Sequence, residues 1–535
     1  MNSRPLPLCR SLLLSLSLSL LLPITAAVAS AATNATPRKN VLFLIADDLN
    51  NMLGAYGDPL ARTPNLDKLA VRGVRFDRAY CTYPLCGPSR NSMLTGLYPN
   101  SNGIHGNNQI FRQTIPRQLS LSQAFRLQGY FAGRIGKLYH YNPPESVGTS
   151  GSDDPASWEL ALNPAGVDRT EEEPKITTIT LLAPGQFFSS TLGWYASPKS
   201  DAHHTDGMLA ADAEWVLERL AKPGQRPFFL AVGFHSPHLP FIAPKDPYYG
   251  YYPREKMRIV RDIEADRADI PPAAIPEFRR LEHDNMTDDQ RRDALQGYYA
   301  SISFMDAQVG RVVDALDRLG LAESTIIVFT SDHGYHTGEH GLWQKQSLFE
   351  EGARVPLLIV APGVSKSKTV AASPVSHLDL FPTLAELAGI KAPANLQGQS
   401  LVPMLLDPSV TGRGWALTQV MRSPVAATVG AGLPRDLTRV YAPAPVPAPG
   451  RFFGYSLRTP RWRYTEWNEG KAGRELYDHD ADPRELTNLA EIPAHAATVA
   501  TLSAQLQAAV KTTFPPSGQT PPFLEGTWFP NLFAP

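Results

Sequence analysis

Three nearly unbroken apolar runs, each stopping at groups that carry charge or bind cations, constrain this fold more than any other feature of the sequence. Asn40-Val41-Leu42-Phe43-Leu44-Ile45-Ala46 stops at Asp47-Asp48. Pro227-Phe228-Phe229-Leu230-Ala231-Val232-Gly233-Phe234 runs into His235 and His238, and Thr325-Ile326-Ile327-Val328-Phe329-Thr330 ends at Ser331-Asp332-His333-Gly334. Runs of this kind read as strands buried on both faces of a parallel sheet, and such sheets bind ligands beyond the carboxyl ends of their strands. Val355-Pro356-Leu357-Leu358-Ile359-Val360 reads as a fourth strand. Apolar spacing predicts helices starting at Thr63-Pro64 and covering residues 118–128, Asp206 to Leu220, Asp288 to Leu319 and His377 to Leu387. The expected fold class is α/β, with a large mostly parallel central sheet flanked by helices.

The strand ends carry the chemistry. Adjacent carboxylates at the mouth of a buried strand are costly unless solvated or bound to a cation, although Asp47-Asp48 read alone also fits a solvated turn with a helix cap. His235 and His238 fit zinc ligands, a proton-transfer pair or hydrogen-bonded core residues, and with no third histidine or thiolate nearby the zinc reading is weak. Glu339-His340, Lys345 and Glu350 follow the third run. In Cys86-Gly87-Pro88-Ser89-Arg90 a thiol precedes a proline, a hydroxyl and a guanidinium, and the run from Ser89 to Leu97 can form a helix whose free amino end faces position 86. Lys137 and His140 lie three apart, so a single turn presents both on one side.

Of the 535 residues, 50 are Lys or Arg and 51 Asp or Glu, so no broad field attracts nucleic acid. Residues 1–31 read as a signal peptide: Arg4 and Arg10 precede an apolar core too short for a comfortable membrane span, and Ala27, Ala29 and Ala31 offer cleavage positions. A periplasmic or secreted enzyme without a stable membrane span follows. Cys81 and Cys86 are the only cysteines after that leader, open to a local disulfide or to a chemical role for Cys86 beside a buried Cys81. Residues 142–200 and 241–280 read as irregular surface insertions. The length suits a catalytic domain over 32–435 and a smaller C-terminal subdomain over 436–535, with an Ala/Pro-rich connection at 441–450, antiparallel strands in 455–459 and 462–467, a helix over 494–510 and a proline-rich tail. The sequence sets no oligomeric state.

Cys86-Gly87-Pro88-Ser89-Arg90, with Leu94-Thr95-Gly96 at its set distance, resembles the signature of the type I, formylglycine-dependent sulfatases of the alkaline-phosphatase-like superfamily. Asp47-Asp48, Gly136-Lys137, Pro237-His238, Ser331-Asp332-His333-Gly334 and Lys345 stand in that family's order, and Glu475-Leu476-Tyr477-Asp478 through Asn488-Leu489 resembles its C-terminal motif. Tyr80-Cys81, Gly338-Glu339-His340-Gly341 and Tyr455-Ser456-Leu457-Arg458-Thr459 resemble the iduronate-2-sulfatase-like branch.

The resemblance implies an alkaline-phosphatase-like sandwich and a sulfuric ester hydrolase acting on a sulfated sugar, as in glycosaminoglycan or polysaccharide degradation. It implies that a maturation enzyme oxidises Cys86 to formylglycine (3-oxoalanine), whose hydrate attacks sulfur and carries a covalent sulfate intermediate. It also implies a divalent cation, calcium with magnesium as the alternative, held by Asp47, Asp48, Asp332, His333 and the oxygen at position 86. Arg90, Lys137 and Lys345 are then expected to stabilise sulfate oxygens, His238 to protonate the leaving oxygen, and His140 to take the second hydroxyl's proton. Ser236 stands where relatives of this branch often carry lysine, and 422–450 departs where a substrate-facing loop is expected. A phosphonate monoester or phosphodiester hydrolase of the same superfamily is one alternative, and a non-catalytic glycan-binding protein another.

Overall fold

A computed structural model describes residues 38–180, 188, 191–276, 280–422 and 450–524. The expected signal peptide and all but the last residue of the Ala/Pro-rich connection lie outside the described residues, as does the end of the proline-rich tail. The first apolar run is strand β1 (Asn40–Ala46). After it come helix α1 (Pro64–Arg72), β2 (Val74–Tyr80), α2 (Cys86–Thr95), β3 (Phe131–Gly136) and β4 (Leu160–Leu162). Helix α3 (Thr205–Leu220), β5 (Phe228–Gly233), the 31-residue α4 (Asp288–Arg318) and β6 (Thr325–Ser331) follow, then β7 (Arg354–Val360), β8 (Thr369–Ala371) and β9 (Val375–Ser376).

These strands form one nine-stranded sheet in the order β8-β2-β7-β6-β1-β5-β3-β4, with β9 also on β2. All pairs are parallel except those of β7, which runs antiparallel to both β2 and β6. Side chains of β1 alternate between two cores, as a strand buried on both faces must. Leu42, Leu44 and Ala46 pack with Leu209 and Val216 of α3 and Ile302, Met305 and Val309 of α4. Val41, Phe43 and Ile45 pack on the other face with Met93 and Leu94 of α2 and with Phe125, Phe381 and Leu384.

A second sheet is antiparallel throughout: β10 (Ala416–Arg422), β11 (Phe452–Arg458), β12 (Trp462–Trp467) and β13 (Arg474–Asp478). Helix α5 (Ala496–Thr512) packs Leu502, Leu506 and Ala509 on Leu417, Leu457, Tyr464 and Leu476. The first strand of this sheet therefore lies upstream of residue 435. It abuts the cysteine segment, because Thr418 Oγ1 donates to the Cys81 carbonyl (2.7 Å) and Gln419 N to that of Thr82 (2.9 Å).

Two expectations change. The insertions are not wholly irregular: Thr177–Thr178, Gly193–Ser197 and Phe241–Pro244 form a three-stranded sheet. The helix expected from Ser89 begins three residues earlier, at Cys86, because the Leu85 carbonyl already accepts from Ser89 N (3.0 Å) and a proline is tolerated in a first turn whose N–H groups have no helical partner.

Candidate active site at the carboxyl edge of the sheet

Strand register brings distant carboxylates together. Ala46 pairs with Ser331, Ile45 with Gly233, and Gly136 with Gly233, so the residues that follow emerge side by side: Asp47 next to Asp332, and Lys137 next to the turn carrying His235 and His238. The glycines are required there. A Cβ on Gly136 (φ 75°) would stand 2.2 Å from the Gly233 carbonyl oxygen, and one on Gly233 2.0 Å from that of Lys137.

Helix α2 delivers Cys86 and Arg90, both wholly buried, into this edge. Arg90 donates through Nε to Asp332 Oδ2 (2.9 Å), through Nη2 to Asp47 Oδ1 (3.0 Å), and through Nη1 to the carbonyls of Lys137 (2.6 Å) and Leu138 (3.2 Å). These bonds turn Arg90 inward, where it clamps two carboxylates. The Ser89 hydroxyl donates to the Asp332 carbonyl. Lys137 Nζ bonds Asp47 Oδ2 at 2.5 Å. Lys345 arrives from the segment after β6 and places Nζ 2.6 Å from Asp48 Oδ1 and 3.2 Å from Cys86 Sγ.

His333 Nε2 lies 3.3 Å from Cys86 Sγ and 3.4 Å from Asp48 Oδ1. Its Nδ1 is 2.9 Å from the Gly334 carbonyl, which can only accept, so Nδ1 carries a hydrogen and Nε2 is the nitrogen turned to the cluster, where, against the effect of burial, Asp332 and Cys86 raise the ring's pKa to about 9. The same logic orients His238: Nδ1 bonds the Leu239 carbonyl (2.7 Å) and Nε2 stands 3.7 Å from Asp48 Oδ2. His235 turns away and is held by Asp206 and by the Tyr141 hydroxyl (2.8 Å), which makes it the hydrogen-bonded core residue of the pair. His140 bonds Asn142 through Nε2 (3.0 Å), and its buried Nδ1 has no partner. Cys81 and Cys86 are both free thiols, so no disulfide joins them.

Burial raises the Asp47 pKa, but Lys137, His238, Arg90 and Lys345 outweigh that and hold it well below the usual range. Burial pushes Asp48 up to about 7 despite Lys345. Burial also opposes ionisation of Cys86, yet Lys345 and Lys137 lower its pKa. His140 and His238 are held well below the usual range, by burial first and by neighbouring lysines second.

The donors fit a cation. Ligand atoms of Asp48, Cys86, Asp332 and His333 lie within 4.8 Å of one another, as do those of Asp47, Asp48, Cys86 and His238. Asp48 Oδ2 is buried with no hydrogen-bond partner, the state of a carboxylate oxygen built to meet a metal.

Sequence reading did not single out Asn107, whose Oδ1 accepts from Gly87 N (2.8 Å) and so fixes the amino end of α2. A polar loop residue twenty positions away carries no local signal of that contact. Glu350 and His340, which follow the third run in sequence, do not join the site: Glu350 binds Arg458 and Arg463, and His340 binds Asp266 (3.1 Å).

A family model described as Sulfatase matches residues 39–390. A sulfatase of Formosa agariphila is 32% identical over 84% of this chain and 83% of its own, and the iduronate 2-sulfatase of Mus musculus is 32% identical over 90% and 95%. Among solved structures, the phosphonate monoester hydrolase of Agrobacterium radiobacter superposes with a TM-score of 0.69 at 24% identity, covering 89% of this chain and 96% of its own.

Proposed function

The chain belongs to the sulfatase family and is a sulfuric ester hydrolase, and from that premise we propose that it releases sulfate from a sulfated carbohydrate, a 2-O-sulfated uronate at a chain end, with Cys86 matured to formylglycine. The observation that carries this reading is the convergence of His333 Nε2, Lys345 Nζ and Asp48 Oδ1 on Cys86 Sγ, at 3.3, 3.2 and 3.9 Å, at the edge where the sheet ends. The mouse relative's name supplies the sugar.

Asp47, Asp48, Asp332 and His333 would hold the cation, calcium by the count of hard oxygens, with magnesium the alternative. When present, the cation and the hydrated aldehyde supply an oxygen nucleophile at neutral pH and neutralise charge on the sulfate oxygens. Arg90 fixes Asp47 and Asp332 in their ionised forms. Lys137 and Lys345 keep positive charge where the ester's oxygens gather negative charge. His238, whose Nε2 faces the site, is the expected donor to the departing alkoxide, a role that requires the bound ester's negative charge to raise a ring basicity that burial and Lys345 hold down. His140 Nδ1, buried and unpartnered, accepts the proton released as the aldehyde is restored.

A formylglycine-generating maturation enzyme, reading Cys86, Pro88 and Arg90 before folding, is the required partner. Removal of residues 1–31 places the enzyme in the periplasm or outside the cell. Among the described residues no helix is long and apolar enough to cross a membrane.

Side-by-side turnover of a defined 2-O-sulfated uronide, an aryl sulfate and a phosphodiester tests the reading. The fastest release is expected from the uronide. Turnover of the aryl ester alone would remove the uronate, and a dominant rate on the phosphodiester would move the enzyme to the phosphonate and phosphodiester hydrolases.

A further inference from the structure

Lys345 lies between two residues with left-handed backbone, Gln344 (φ 75°) and Gln346 (φ 71°). Side chains other than glycine hold that conformation only where the surroundings over-determine it, and such positions cluster at functional sites. Three contacts fix this turn. Gln344 pairs with His336 across a two-residue antiparallel ladder. Gln346 N donates to the Pro84 carbonyl (3.0 Å), two residues before Cys86. The Gln346 carbonyl accepts from Arg422 Nη2 (2.8 Å), and Arg422 is the last residue of β10 in the antiparallel sheet.

Arg422 is an unusual arginine. Its Nε donates to the Ala273 carbonyl (2.8 Å), its Nη2 also approaches that of Ala274 (3.3 Å), and its guanidinium stacks over the Trp467 ring at 4.9 Å. Among the described residues none of its hydrogen bonds or ion pairs is to a carboxylate, and burial draws its pKa down to about 10. A half-buried guanidinium whose bonds to the described residues all go to backbone carbonyls gains no ion pair from them in return for its lost hydration. What it does accomplish is geometric, since its planar fork gathers residues 273–274 and the carbonyl beside Lys345 onto one sheet edge.

We propose that Arg422 is a positioning residue: by holding the Gln346 carbonyl it fixes the left-handed turn that aims Lys345 Nζ at Asp48 and Cys86. The antiparallel sheet thereby acts on the chemistry through one backbone contact. This rests on the reading of Lys345 given under the proposed function, and the test separates the two.

The experiment is a double-mutant cycle of Arg422→Met and Lys345→Met in aldehyde-bearing protein, with kcat and KM measured for each variant and folding checked by unfolding midpoints. Arg422→Met alone is expected to lower kcat roughly 10- to 100-fold with KM changed by less than about threefold, the signature of a misplaced charge that acts in the transition state. In the Lys345→Met background the same substitution is expected to add less than about twofold, because residues acting through one another are non-additive. Arg422→Lys, which keeps one donor, is expected to recover part of the loss, and it carries the cycle if the methionine variant does not fold. If Arg422→Met reduces kcat by the same factor in both backgrounds, or leaves it unchanged in the parent, the role of Arg422 is overturned while that of Lys345 stands. Full turnover by Lys345→Met overturns both.

Discussion

Two groups of buried charges draw on the segment that follows β6, and they are built by different rules. In one, Glu350 accepts from Tyr80 (2.9 Å), Arg458 (3.3 Å) and Arg463, while Glu485 accepts from Arg463, from His479 (2.7 Å) and from Glu350 N (2.8 Å). Every carboxylate oxygen there has a partner, and Glu485 sits at about pKa 2 because Arg463 and His479 outweigh its burial. In the other, Arg90, Lys137 and Lys345 face Asp47, Asp48 and Asp332, yet Asp48 keeps an unpartnered oxygen and is pushed up to about 7. Buried charge by itself therefore marks nothing functional. An under-satisfied carboxylate beside a thiol at the end of a parallel strand does, because a cation added there completes the ligand set and leaves the site net positive toward an anionic ester.

The sharpest way to break this comparison is to substitute one member of each group. Cys86→Ala is expected to lower sulfate release by roughly a thousandfold or more, since it removes the nucleophile, with an unfolding midpoint close to the parent's. Asp48→Asn should cost about a hundredfold or more in kcat for loss of a cation ligand, with a smaller change in stability than at Glu485, because burial already raises the Asp48 pKa to about 7. Glu485→Gln should do the reverse. It breaks a satisfied buried network and is expected to cost about 3–5 kcal/mol in urea unfolding, while kcat per folded molecule stays within about twofold.

Acid unfolding sharpens the contrast further. The Glu485 pKa is lowered in the folded protein from 4.5 to about 2, so the stability it contributes is present above pH 4.5 and lost as pH falls toward 2. Glu485→Gln should flatten that acid limb. Asp48 has the opposite sign: its folded pKa is raised from 3.8 to about 7, so in chelator-treated protein stability should fall as pH rises through that window, and added calcium should restore it. The smallest effect is expected at the surface, where Asp317→Ala breaks the half-exposed pair with Arg72 and should change stability by less than about 1 kcal/mol.

Much of the architecture was legible because β1, β5 and β6 are uniformly apolar and stop at polar groups, which places those groups at one sheet edge without any long-range information. Strand β3, which lies between β5 and the edge strand β4, was harder to see. Gly133, Arg134 and Gly136 break its apolar pattern, and only pairing with β5 shows why glycine is needed there. The reversed direction of β7 leaves no trace in composition, since a strand buried on both faces looks alike either way. At the site, the residue types could be read but not their partners: Arg90 beside a proline and a serine says nothing of the two aspartates, 43 and 242 positions away, to which it donates. The network around Glu485 was illegible for the same reason.

The central claim is that position 86 reacts as an aldehyde hydrate and not as a thiol. Mass spectrometry of the peptide spanning residues 76–90, taken from the same preparation whose sulfate release is measured, tests it directly. The account predicts the aldehyde at position 86 in active protein and a sulfatase rate that scales with its fraction. An unmodified thiol in a preparation that releases sulfate at full rate would contradict it.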